Sequence, residues 1–165
     1  AAALRGDGGP VRVSARIAAV LAGLWAGVLV CIASIAAPAA FATLARADAG
    51  RFVGRVFVTE AYLSIAMAVV LFAIERRRTR DLAESGRGSV LSANLVLLLG
   101  TLFCTVAGYF AIEPMMVAAR LGQGPWSFGA LHAASTGFFV LKGVLVLVLA
   151  WRFAAASLMP SATSS

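Results

Sequence analysis

Charged residues in this chain are gathered into short stretches, and the intervals between them are long and apolar. No Asp, Glu, Lys or Arg occurs over residues 17–45 or 88–112. A run of about 20 apolar residues is long enough to cross a bilayer as a helix. The pattern predicts four such helices, at about 17–37, 54–74, 89–112 and 127–151. Pro38 divides the first run, so the helix is expected to stop before it and a short interfacial segment to follow. A cleaved signal peptide is the rival reading of that run, but a signal's apolar region spans only about 7–15 residues. "ERRRTRDLAESGRG", residues 75–88, reads as a charged loop with no apolar face. "RLGQGPW", residues 120–126, carries turn signals. Residues 1–16 then form an N-terminal segment, 17–153 the membrane domain and 154–165 a disordered tail. The predicted class is all-α, an integral membrane bundle of four transmembrane helices.

Composition sharpens this. The chain is 61% hydrophobic and 13% charged, with a mean hydropathy of +0.94; soluble domains are nearer half apolar and a quarter charged. Fourteen Lys+Arg stand against seven Asp+Glu. In a soluble protein that balance would suggest nucleic acid. Here the basic residues flank the apolar runs, as topology selection requires, so the expected partner is the lipid bilayer and not nucleic acid. Arg5, Arg12, Arg16, Arg76, Arg77, Arg78, Arg80, Arg87 and Arg152 fall on one side, against Arg46, Arg51, Arg55 and Arg120 on the other. The positive-inside rule makes both termini cytoplasmic, and the expected location is a bacterial inner (plasma) membrane.

Ionisable groups inside lipid are costly, so each is a functional candidate by default. Glu60 lies six residues into its predicted helix, about 9 Å deep at 1.5 Å per residue. Glu113 is at the outer mouth of the third helix, and His132 and Ser135 are in the first turns of the fourth. Together they suggest a polar outer vestibule. Lys142 is deeper, about 22 Å down, and either pairs with a carboxylate or snorkels toward the side that bears Arg152. Pro114 directly follows Glu113. A proline disfavours helical backbone at the residue before it, so Glu113 is expected in the last turn of helix three. The chain would then leave at a new angle, with His132 as the best local partner for Glu113. Plainer roles stay open: a solvated carboxylate at a helix end, and a histidine at the interface.

Several chemistries find too few ligands. One histidine cannot supply both axial ligands of a haem, which leaves only His–Met ligation open, and Ser135 one turn from His132 with no nearby aspartate is too little for a hydrolase. No cofactor and no enzymatic activity are expected. Cys31 and Cys104 form no CxxC motif. At equal depth they would be weak candidates for a soft-metal pair, although small packing residues is the plainer reading. Gly23 and Gly27 make a GxxxG spacing, suited to close packing inside the bundle or to a homo-oligomer or membrane partner through helix one. A faint repeat at an offset of 76 aligns Pro38 with Pro114, Phe52 with Phe128, Thr59 with Ser135 and Arg76 with Arg152. Coincidence remains an alternative, since apolar identities are cheap here.

Three stretches carry a resemblance: "LAGLWAGVLVCIASIAAPAAFATLARADAGRFVGRVFVTEAYL" from Leu21, "EPMMVAAR" from Glu113, and "LHAAS" with His132 and Ser135. In these the chain resembles the domain of unknown function 4149 family, also called transmembrane protein 205-like, over roughly residues 16–153. Members often carry an asparagine where Phe139 stands here. The resemblance implies a four-helix membrane architecture and no defined activity. Two functions follow from the residues: small-solute or ion transport through the vestibule, or a non-catalytic scaffold or assembly subunit. A shared cavity for the polar residues would favour the first, and their scatter to interfaces the second.

Overall fold

The computed structural model describes residues 10–84 and 92–158. It is an all-α bundle, and four of its helical rods are long and apolar enough to cross a membrane: Val13–Thr43, Arg46–Asp81, Ala93–Arg120 and Phe128–Leu158. The first rod joins α1 (Pro10–Cys31) through a π turn (Ile32–Ala36) to α2 (Ala37–Thr43); the second is α3 (Arg46–Glu84). The third joins α4 (Ala93–Thr105) through a π turn (Val106–Ala111) to α5 (Ile112–Arg120), and the fourth is α6 (Phe128–Leu158). Outward-facing Val20, Leu24, Val69, Val140 and Leu147 are exposed, which in an integral membrane protein is the face that lipid covers.

Neither proline ends its helix, which corrects the expectation for Pro38 and for Glu113–Pro114. A proline ring clashes with the carbonyl four residues back. In both rods the turn before the proline is widened to the π form, where the backbone bond reaches five residues back. Ala37 N–H donates to Ile32 O, and Ile112 N–H donates to Ala107 O. Each proline then falls in the first turn of a fresh α segment, where its missing N–H is not needed. Glu113 is therefore helical and in the first turn of α5. Nor does α5 leave the bundle, because Ile112 and Met116 pack on Leu131 of α6. Both prolines that the offset of 76 aligns are thus preceded by a π turn.

Other boundaries also move. Residues 75–84, read as loop, continue α3 to Glu84, and residues 154–158 continue α6 to Leu158. The remaining parts of the predicted loop (85–88) and tail (159–165), and residues 1–9, lie outside the described residues. The turn before α6 ends α5 with a Schellman pair: Gln123 N–H bonds Ala118 O at 3.0 Å and Gly122 N–H bonds Ala119 O at 3.1 Å. Gly122 takes the positive φ of 71° that this motif demands. Ser127 caps α6, accepting from Ala130 N–H at 3.2 Å.

The core runs along α1, α3, α4 and α6. Trp25, Leu71, Leu98, Val146, Leu149 and Phe153 are fully buried. On α1 the close-packed small residues are Ala15, Ala18, Ala22 and Ala26. Gly23 and Gly27 are exposed, with open space around both, so the GxxxG spacing faces out of the bundle and does not pack inside it.

Candidate functional site

The polar centre is an ion pair across α3 and α6. Lys142 Nζ donates to both carboxylate oxygens of Glu60, at 2.7 and 2.8 Å, and each residue is only 4% exposed. Lys142 does not snorkel. The depth estimate for Glu60 also changes, because α3 begins at Arg46 and not at residue 54. Glu60 lies fourteen residues into α3 and Lys142 fourteen into α6, so both are about 21 Å along their helices. Two charges at one depth can meet.

The pair is tied to the rest of the bundle. Glu60 and Ser64 are four apart and therefore on one helix face; Ser64 Oγ donates to Glu60 Oε1. Ser64 in turn accepts the indole N–H of Trp25 at 2.9 Å. The chain Trp25–Ser64–Glu60–Lys142 thus joins α1, α3 and α6. Removing two charges from water costs several kcal/mol each, and the attraction offsets this only with good geometry and filled hydrogen-bond positions. A bidentate pair with a third donor meets both conditions.

Above the pair is a cavity of about 630 Å³, and Glu60, Glu113, His132, Ser135 and Lys142 all line it. One cavity therefore gathers Glu60, Glu113, His132 and Ser135 together with the deeper Lys142, and the Glu60–Lys142 pair is its floor. Their individual roles differ from the expectation. Ser135 Oγ donates to Gly108 O at 3.0 Å, serving a carbonyl inside the second π turn. The crossing there is tight: a Cβ on Gly108 would lie 2.8 Å from Phe138 Cβ. His132 stacks on Phe128, with ring centroids 5.7 Å apart. Among the described residues, no hydrogen bond or ion pair joins it to Glu113. Phe139 packs edge-on against Phe57, and Lys142 Nζ is 5.2 Å from its ring centre. Cys104 is buried and lines the cavity, while Cys31 is exposed, so the cavity does not pair the two. Among the described residues, no three His, Cys, Asp or Glu side chains cluster as metal ligands would. A shallower groove of about 270 Å³, lined by Val28, Ile32, Arg55 and Thr59 among others, reaches Glu60 from the α1 side.

The opposite end of the bundle holds a second polar network. Glu75, read above as the start of a loop, is 4% exposed. Its carboxylate accepts from Ser92 Oγ and Asn94 Nδ2, each at 2.9 Å, and from Arg78 at 3.1 Å. Asn94 Oδ1 accepts from Arg152 Nε at 2.6 Å. This cluster fastens α3, α4 and α6 to one another. Residue type alone does not mark Asn94, Trp25 or Ser64 as members of these networks; the i, i+4 spacing from Glu60 to Ser64 is the cue that the sequence offers.

The family comparison decides the kinship. The model of Domain of unknown function (DUF4149) matches residues 20–124, which is 105 of the 165 residues. The chain belongs to the DUF4149 family. No curated protein and no solved structure matches it. The DUF4149 match includes Pro38, Glu60, Glu113 and Pro114 and stops before α6. The carboxylate of the central pair thus lies in the matched region, and Lys142, His132 and Ser135 lie beyond it.

Proposed function

We propose that this DUF4149 protein binds a small solute within the membrane and serves its transport or permeation. One observation carries the reading: five polar residues from α3, α5 and α6, dispersed in sequence, line a single cavity whose floor is a buried ion pair. Intramembrane ionisable residues that face a cavity mark solute and ion pathways. A purely architectural subunit has no need of such a space. Trp25, Leu71, Leu98 and Phe153 form the buried core beyond the pair, so on this reading passage requires the Glu60–Lys142 contact to part. The exposed Gly23–Gly27 face supports a secondary role in association with a second copy or a membrane partner.

The test uses Gly54. It lines the cavity, and an added Cβ there meets nothing within 4 Å, so Gly54→Phe is expected to take up part of the space. A deletion strain profiled against solutes and metals is expected to show a sensitivity that the parent gene corrects. Gly54→Phe at equal membrane abundance is expected not to correct it. Full correction by Gly54→Phe would favour the scaffold role and remove the transport reading.

The proposed orientation places both termini in the cytoplasm of a bacterial inner membrane, with the cavity mouth outside. The basic residues support it: Arg76, Arg77, Arg78, Arg80 and Arg152 gather at the Glu75 end. Cysteines placed at Ser85 and Gln123 in a cysteine-free background give the readout. An impermeant thiol reagent added to intact cells is expected to label position 123 and spare position 85. The reverse pattern would invert the topology.

A further inference from the structure

The charges around the cavity are unevenly matched. Glu60 and Lys142 neutralise each other at the floor, and Arg51 is bonded to Asp48. Arg46, Arg120 and Glu113 remain. Among the described residues, neither Arg46 nor Arg120 has an ion-pair partner. Arg46 is the first residue of α3 and Arg120 the last of α5, so both stand at the cavity mouth. Arg120 lies over Phe128, its guanidinium carbon 4.7 Å from the centre of the ring, and Phe128 stacks on His132. That contact holds at the mouth a guanidinium, whose planar fork of donors suits a carboxylate or phosphate. Between the arginines and the floor the walls are mostly apolar, with Phe57, Met116 and Phe139 among them beside the polar Tyr109, His132, Ser135 and Thr136.

A small hydrophilic ion would lose its water against those walls with little in return. A neutral apolar molecule would leave the arginines without a partner. Building on the solute-binding role proposed above, we infer that the cavity takes an amphipathic anion. Its carboxylate or phosphate head lies between Arg46 and Arg120, and its apolar body lies against Phe57, Met116 and Phe139. Glu113, half-buried at the same mouth, disfavours a second negative charge and so favours a singly charged head. Such an anion can enter from water as a free carboxylate or from the bilayer as an anionic lipid, and the head chemistry is shared.

Equilibrium binding of radiolabelled decanoate to the whole protein in phosphatidylcholine nanodiscs tests this, with empty discs subtracted. Decanol and decyltrimethylammonium serve as matched neutral and cationic probes. Decanoate is expected to bind at least about tenfold more tightly than either, for a net gain of one charge-assisted contact. The double change Arg46→Gln, Arg120→Gln is expected to erase that preference, and Gly54→Phe to abolish binding. Both arginines are exposed, so the double variant retains its core. Equal binding of all three probes, still lost in Gly54→Phe, would overturn the anion assignment and leave solute binding standing. Binding of none would overturn the assignment directly, and the strain profile would then judge the broader role. Adding phosphatidylglycerol to the discs separates the sources. Suppressed decanoate binding identifies the bilayer as the supplier, and unchanged binding identifies the aqueous phase; either agrees with an amphipathic anion.

Discussion

Replacing Lys142 with methionine lowers the stability of the bundle by about 3–5 kcal/mol, the range for breaking a buried ion pair from one side. The methionine fills much of the lysine's volume, so the loss is electrostatic. It leaves the Glu60 carboxylate inside the protein with Ser64 as its remaining hydrogen-bond donor. The double change Glu60→Gln, Lys142→Met removes both charges and is expected to recover most of the loss, because a neutral amide carries a far smaller desolvation cost. Unfolding in mixed micelles with increasing SDS fraction measures all three proteins on one scale. A single variant as stable as the parent would mean that water reaches the pair, contrary to its 4% exposure.

Trp25→Ala has the second largest expected effect. Trp25 is fully buried where α1 meets α3 and α6. In water-soluble proteins such a truncation costs about 3–5 kcal/mol, part of it transfer of the side chain from water and part the cavity left behind. In a membrane bundle the transfer part shrinks, since lipid tails are as apolar as the core. The lost packing contacts and the unmatched Ser64 oxygen remain, so about 2–3 kcal/mol is expected. Trp25→Phe keeps most of the ring and loses the N–H, which sets its cost at about 1 kcal/mol. The same SDS titration separates these. Equal losses for alanine and phenylalanine would assign the residue's role to the hydrogen bond, and a silent alanine variant would exclude it from the core.

The cavity makes the two losses unequal in consequence. Trp25 lies on the far side of Ser64 from Glu60, so its removal disturbs the floor through one hydrogen bond. Lys142 is part of the floor. A variant series that tracks both stability and the solute phenotype should therefore find Trp25→Phe close to the parent in function and Lys142→Met deficient in both.

The sequence by itself determined the number of spans, the all-helical class and the residues worth suspecting. The reason is that lipid leaves backbone groups no partner but each other, so a 20-residue apolar run has few alternatives to a helix, and a charged side chain within one stands out against a nearly charge-free background. It could not locate the helix ends. Residues 75–84 look like loop because they are mostly charged and present no apolar face, yet they are helical, and Glu75 is held by Ser92 and Asn94 at the start of another helix. It misjudged both prolines, because a π turn is a backbone adjustment that leaves no mark in residue type and costs little where Ser135 can serve the Gly108 carbonyl. Position along the chain makes His132 a local candidate partner for Glu113. Tertiary structure paired Glu60 with Lys142, 82 residues apart. Which charge meets which is decided by the facing of packed helices, and α6 settles its face on α1 through Ala18, Ala22 and Val146, contacts that any apolar stretch of this chain could have supplied.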